Sequence, residues 1–174
     1  MTKYKLHLCL LALFTTFSIS GQDFNLSALG GYLNIDTTFE FEGESFDFDT
    51  ASSGFYFGLQ SEFNLAEKID LQPEIVLGII KDRNALYLGL LGKFNVTEDF
   101  GLLLGPSFNY VLEDFVDDYQ NFGITATIGA SYDISDTFFT QAKYSIQLNN
   151  YYNGDNDIIS RANFLLIGIG YKIL

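Results

Sequence analysis

Carboxylates, amides and hydroxyls carry what chemistry this chain can offer, because its single histidine, His7, and single cysteine, Cys9, both lie near the N-terminus. That stretch has the grammar of an export signal: Lys3 and Lys5, an apolar run from Leu6 to Phe17, then the small residues of Ser18-Ile19-Ser20-Gly21. The run is shorter than the ~18–20 residues of a spanning helix. Residues 1–21 therefore read as a cleavable signal peptide and residues 22–174 as one mature domain. Cys9 follows Leu8 inside the apolar run, which does not suit lipidation. Once the signal is removed, no imidazole base and no thiol remain, and no serine has a histidine partner. The expectation is a protein with no catalytic residues, no cofactor and no enzyme activity.

Two sets of polar residues remain. The first is Gln60, Glu62, Gln72, Glu74, Lys93, Gln141, Lys143 and Lys172, which alternate with apolar neighbours. They read as a hydrogen-bonded, ion-paired plug, since buried charges persist when paired. Counting back from the nearest turn sets Glu62 beside Gln72 and Gln60 beside Glu74, and brings Lys93 near Glu74. A narrow water or proton path is the competing reading. The second set is acidic: Glu40, Glu42, Glu44, Asp47 and Asp49 interleave with Phe39, Phe41, Phe46 and Phe48, and Glu113, Asp114, Asp117 and Asp118 crowd another segment. Loop cation binding would fall to Glu44, Asp47, Asp49, Asp155 and Asp157, but none has the spacing and glycine of an EF-hand, so no metal site is assigned.

The elements that must position these residues are strands. A short unit occurs three times, as FNLAEKIDL (Phe63 to Leu71), FNVTEDFGL (Phe94 to Leu102) and YDISDTFFT (Tyr132 to Thr140), and a fourth copy begins at Tyr171-Lys172-Ile173-Leu174. Each unit is a polar reversal between two apolar runs, as expected of short turns on one rim of an antiparallel barrel. Between the turns the sequence alternates with period two. Phe55, Phe57 and Leu59 oppose Tyr56, Gly58 and Gln60; Phe122, Ile124, Ala126 and Ile128 oppose Gly123, Thr125 and Thr127. Eight strands are expected, the first from Phe24 to Ile35 with its register blurred at Gly30-Gly31. Pro73 should break hydrogen bonding locally, and Phe164-Leu165-Leu166-Ile167 breaks the alternation, which predicts a bulge there. The other connections, near residues 36–53, 81–85, 113–120 and 149–160, are mostly longer and mostly acidic. Strands of this length suffice to cross a bilayer, where ~9–11 tilted residues are needed. An even strand number with both termini on the short-turn rim is the arrangement of bacterial outer-membrane barrels.

Side-chain size orients the strands. An eight-stranded barrel has an interior just wide enough to be filled by side chains; one face here carries Gly, Ser, Thr, Asn and Gln, the other bulky Phe, Ile and Leu. The small polar face should point inward and the bulky apolar face outward to lipid. Phe63, Phe94, Phe100, Tyr132, Phe138 and Tyr171 then form an aromatic girdle beside the short turns, and Phe55, Phe57, Phe108, Tyr110 and Phe122 gather toward the other end. The mature charge of −15, from 22 acidic and 7 basic residues, disfavours nucleic acid as a partner.

The segments GLQSEFNLAEKIDLQPEIVL (Gly58 to Leu77), ALYLGLLGKF (Ala85 to Phe94), GLLLGPSFNYVL (Gly101 to Leu112) and the closing IGIGYKIL resemble the PorT-type outer-membrane β-barrel family, whose architecture is that of OmpA and OmpX barrels. The resemblance implies an all-β, eight-stranded up-and-down transmembrane barrel in the outer membrane of a diderm bacterium, and implies no activity. Leu174 departs from the aromatic last residue usual for such barrels, with Tyr171 as its substitute in recognition by the insertion machinery. The expected function is a small integral outer-membrane barrel of structural, adhesive or interaction type with a side-chain-filled interior. Its partners would be outer-membrane lipid, the barrel-insertion machinery, and an extracellular or envelope protein met by the acidic loops. The alternatives are a narrow transport or secretion-associated component and a soluble lipocalin-like ligand-binding barrel.

Overall fold

The computed structural model describes residues 24–41, 44–46, 51–81, 83–113, 118–154 and 158–174. The signal-peptide reading, and Asp47, Asp49, Asp155 and Asp157 among the loop carboxylates, lie outside the described residues, and of Glu44 only the backbone is described.

Among the described residues nine strands succeed one another: β1 (Phe24–Phe41), β2 (Glu44–Phe46), β3 (Ser52–Ala66), β4 (Ile69–Ile80), β5 (Arg83–Asn95), β6 (Phe100–Val111), β7 (Phe122–Asp133), β8 (Phe138–Gln147) and β9 (Ile158–Lys172). All pairings are antiparallel between sequence neighbours, except that β1 passes over β2 to pair with β3 and also with β9, which closes the sheet. The result is an eight-stranded barrel with β2 as a short appendage on the end of β1, and the described residues hold no helix. Closure leaves no free edge among the barrel strands.

The acidic segment after Ile35, expected as a large loop with room for strand extensions, is partly strand. Residues 36–41 continue β1 against Ile158–Asn163 of β9, and then fold back on β2 with Phe39 opposite Phe46. Alternation of Phe39 and Phe41 with Glu40 gives that stretch one apolar face to pair. The expected bulge in β9 is absent: Phe164 to Ile167 keep one register against both β8 and β1. Alternation fails there because both faces are apolar, Phe164 and Leu166 being buried inside. Nor does Gly30-Gly31 disturb β1, which pairs without a register shift. A shift does occur beside the first turn, between Asn64 and Ala66.

The two prolines mark gaps in the ladders. Ser61 and Glu62 have no paired partners between Gln60↔Glu74 and Phe63↔Leu71, the stretch that faces Pro73. Likewise the β5–β6 ladder skips from Gly89↔Ser107 to Gly92↔Leu104, the stretch that contains Pro106. Each proline lacks the N–H that a paired position would donate, yet register resumes unchanged beyond both.

The three repeated units make the short-turn rim. In two of them the fourth residue, Thr97 or Ser135, accepts a hydrogen bond at its hydroxyl from the seventh-residue amide, Phe100 at 3.0 Å and Phe138 at 3.1 Å. The first unit has Ala66 at that place and forms a tighter turn at Glu67-Lys68, with Ala66 paired to Ile69. Successive units are also stitched together. The second-residue amides of Asn95, Asp133 and Lys172 donate to the sixth-residue carbonyls of the preceding unit, Lys68, Asp99 and Thr137, at 2.9, 2.8 and 2.8 Å. Lys172 thus occupies the place that the partial fourth copy assigns it. Leu174 and Ile173 exchange backbone hydrogen bonds with Leu26 and complete the rim.

Candidate functional site

Period-two alternation sends one face of every barrel strand inward, and the interior that results has two unlike halves. Toward the short turns it is mostly polar, with Leu91, Leu103 and Phe139 buried among the polar groups. Glu62 accepts from Gln72 at 2.5 Å and from the Lys93 ammonium at 3.0 Å. One layer further in, Lys143 is paired with Glu74 at 2.5 Å, both side chains buried, and the Gln141 amide donates to the Gln60 carbonyl oxygen at 2.8 Å. At the rim Lys172 pairs with Asp133 at 2.9 Å. All eight residues of the first polar set therefore face the interior, in three groups around Glu62, Glu74 and Gln60 with Lys172 at the rim.

One expected neighbour is wrong. Lys93 is opposite Asp70 and forms its ion pair with Glu62, while Glu74 is opposite Gly89 and takes Lys143 from across the barrel. The short β4–β5 connection fixes that register, and Lys93 lies four residues too near the rim to meet Glu74 directly. Gly89 leaves the space that the Glu74 side chain occupies, for a Cβ there would come within 2.7 Å of it.

Asp70 and Asp133 belong to this network although they were not among the expected plug residues. Buried Asp70 accepts from Asn64 at 3.0 Å and Asn95 at 2.6 Å. Asn64, Asn95, Asp133 and Lys172 all hold the second place of the repeated unit, so the repeat itself was the signal for a polar ring at this rim. Above the charged layer, Ser107, Thr127 and Ser145 form a hydroxyl chain across β6, β7 and β8 at 2.9 and 2.7 Å. Among the described residues, buried Gln72 Oε1 and Gln141 Oε1 have no hydrogen-bond partner.

Toward the long loops the interior is apolar, contrary to the expectation that only small polar groups fill it. Leu33, Tyr56, Val76, Ile80, Tyr87, Phe164 and Leu166 pack there as one cluster, with Tyr87 and Phe164 edge to face at 5.2 Å. Interior glycines make room for these large groups. A Cβ on Gly168 would come within 2.3 Å of the Tyr56 hydroxyl, and at the short-turn end one on Gly170 would come within 2.0 Å of the Phe139 ring.

This half holds a cavity of about 260 Å³, lined by Ile35, Thr37, Phe39, Ile80, Ala85, Tyr87, Asn109, Val111, Tyr119, Tyr151, Ser160, Ala162 and Phe164. Two connections fold over its end. Tyr119 bridges to Tyr152 with their rings edge to face at 5.3 Å, and the Gln120 amide donates to the Tyr151 carbonyl at 2.8 Å. Asn150 fixes the approach of Tyr151, its Oδ1 accepting from the Tyr152 and Ser160 amides at 3.1 and 2.7 Å. The Tyr151 hydroxyl is thereby directed inward, where it donates to Asn109 Oδ1. Burial raises its pKa while the Asn109 hydrogen bond lowers it, and burial is the larger effect. Tyr151 therefore remains a protonated donor. Beside this cover, the Glu113 carboxylate receives the Asn84 amide at 2.7 and 2.8 Å, tying the start of β5 to the β6–β7 connection.

The outer surface is the inverse of the polar half. Large apolar side chains stand exposed on all eight barrel strands, among them Tyr32, Phe57, Ile75, Leu90, Leu104, Ile128, Ile146 and Ile169. Exposure reaches 67 % at Leu104 and 60 % at its cross-strand partner Ile128. The aromatic residues expected beside the short turns lie on this surface: Phe94, Tyr132, Phe138 and Tyr171 are exposed, Phe63 and Phe100 half-buried. Phe138 and Tyr171 touch, their centroids 5.3 Å apart. At the opposite end Phe108 stacks on Phe122 at 5.9 Å. Among the described residues no cluster of carboxylate, His or Cys groups is arranged to hold a metal ion.

Closed eight-stranded barrels of this size are known among solved structures. Ail, the attachment invasion locus protein of Yersinia pestis, is similar with a TM-score of 0.51 at 14% identity, over 86% of this chain and 98% of its own. Neisserial surface protein A gives 0.51 at 14% identity, over 88% and 100%, and a de novo designed transmembrane β-barrel 0.50 at 16% identity, over 88% and 96%. At such identities the likeness is one of fold. No protein-family model matches the chain, and no curated protein does.

Proposed function

We propose that this chain is a small integral outer-membrane β-barrel protein of structural, adhesive or interaction type, and that it performs no catalysis. The observation that carries the reading is the continuous outward belt of Phe, Ile, Leu and Tyr around all eight strands, set against the ion pairs inside. A soluble monomer rarely exposes a contiguous apolar patch beyond ~300–600 Å², and this belt encircles the molecule. A lipid-facing band between two aromatic girdles is the arrangement that suits it, with Phe94, Tyr132, Phe138 and Tyr171 in the girdle at the short-turn end. The solved barrels named above support the same reading by fold.

In this reading the signal peptide directs export, Tyr171 near the C-terminus serves the insertion machinery, and the PorT-type resemblance describes its kin. The polar layer of Gln60, Glu62, Gln72, Glu74, Lys93, Gln141 and Lys143 is a plug, and the acidic loops are the surface offered to an extracellular or envelope partner. The full chain expressed in a diderm host should stay with the membrane pellet after a carbonate wash and migrate differently on SDS gels with and without boiling. Release into the aqueous fraction would favour the soluble ligand-binding barrel instead.

A further inference from the structure

The outward apolar belt is not equally tall on every strand. Successive units of the short-turn rim are joined at the same two places, so their first residues, Phe63, Phe94, Tyr132 and Tyr171, mark one level around the barrel. Above that level the outward run continues to Phe55 on β3, to Leu86 on β5 and to Phe122 on β7. On β9 it stops at Leu165, and the next outward residues are Asn163 and Arg161. Each residue of a strand tilted by ~40° lifts the chain ~2.6 Å along the barrel axis. The belt is therefore ~26 Å tall on β7, close to the ~25 Å of a lipid-facing band, but only ~16 Å tall on β9.

The adjoining strand β1 carries the same step. Its outward run ends at Tyr32, and Asn34, Asp36 and Thr38 follow on that face, opposite Leu165, Asn163 and Arg161. Further up, the single apolar Ile159 is opposite Glu40. The Tyr32 hydroxyl meets Ser53 Oγ at 2.6 Å and the Asn34 amide donates to it at 3.2 Å, which carries the polar edge onto β3. On the other flank the contrast is abrupt: Ile146 of β8 is opposite Asn163, and exposed Leu148 continues the apolar run beyond it. Arg161 is exposed and forms no ion pair among the described residues. Its guanidinium suits a phosphate, while Asp36 and Glu40 on the same face keep the patch from attracting free anions.

We propose that the β9–β1 face binds the phosphate-and-ester headgroup layer of the membrane at a depth where the other strands still face acyl chains. Asn163, Arg161 and Asn34 supply the donors. The long connections lie on the outer side of such barrels, and a bilayer thins where the apolar band it meets is short, so the protein thins the outer leaflet on this one side. A headgroup layer is there to be met only if the outer-membrane reading holds, and this inference rests on that reading.

The test uses the full chain with Cys9→Ser, which removes its one cysteine, folded into dimyristoylphosphatidylcholine vesicles. Spin labels are placed singly through Leu165→Cys, Leu88→Cys and Ala126→Cys, outward positions equally far along their strands from Tyr171, Phe94 and Tyr132. Collision with oxygen against a water-soluble nickel chelate reads their depth. The Leu165 label should lie ~5–10 Å shallower than the other two, and Asn163→Leu with Arg161→Leu should bring it to their depth. Labels at Tyr171→Cys and Phe94→Cys should share one depth at the inner interface. Equal depth at Leu165, Leu88 and Ala126 overturns the proposal and leaves the outer-membrane reading standing. A Tyr171 label that is deeper by as much as the Leu165 label is shallower means a tilted barrel in an undeformed bilayer, and also overturns it. Nickel contact at all three upper positions, with no oxygen-rich site, overturns both.

Discussion

Lys143 and Glu74 stand 69 positions apart in the chain and meet inside the barrel at 2.5 Å. A buried pair is often no more stable than apolar residues of the same volume, but removing one member leaves an uncompensated charge at a cost of ~3–5 kcal/mol. Lys143→Met should therefore lower the unfolding free energy by about that amount, while Lys143→Met with Glu74→Leu should recover most of it. Urea titration of the folded barrel in detergent reads both; equal losses in the single and double variants would show that the pair is not a closed electrostatic unit. Sequence alternation placed all eight polar residues on the inward face, and counting from the turn set Glu62 beside Gln72 and Gln60 opposite Glu74. It missed the Lys143–Glu74 contact because a bond across the barrel depends on closure, which local spacing does not encode.

At the scale of the strands, β7 offers the sharpest test of direction. Ile128 points out with 60 % exposure, and Thr127 points in, joined to Ser107 and Ser145. If the outward face meets hydrocarbon, Ile128→Arg near mid-strand should cost ~2–4 kcal/mol in a bilayer and little in a soluble barrel. Refolding equilibria in lipid vesicles measure it, and a change near zero would count against a lipid-facing strand. Strands of strict alternation such as β7 could be delimited from sequence, because one face is polar throughout. β9 could not, since Phe164 and Leu166 enter the apolar half of the interior while Leu165 and Ile167 face out, and period two vanishes from the hydropathy though it persists in the backbone. The same loss of contrast hid the cavity: Ile80 and Tyr87 line it from faces that also carry Gly and polar residues.

For the whole molecule, the two interior halves bear on permeation. The layer around Glu62, Glu74, Lys93 and Lys143 spans the barrel from β3 through β8, and the space beside it near Glu62 and Lys172 is about 10 Å³, roughly the size of one water. The barrel should therefore show no steady conductance in planar bilayers, and the narrow transport reading would need discrete current steps that grow when Lys143 and Glu74 are both replaced by Ala. The barrel itself was legible from three turn units, the alternation between them and an even strand number. The extension of β1 over residues 36–41 was not, because its acidic residues read as loop although Phe39 and Phe41 alternate with Glu40.

The amide-to-carbonyl stitching along the short-turn rim makes each hairpin the docking template for the one that follows. A duplicated copy of Val96 to Asp133, spliced after Asp133, would keep the repeat in frame: the first Asp133 keeps its acceptor at Asp99, and the copied Asp99 supplies the acceptor for the copied Asp133. Such a graft could widen the cylinder to ten staves without new rules at its base, a modular route by which a small wall protein grows a larger bore.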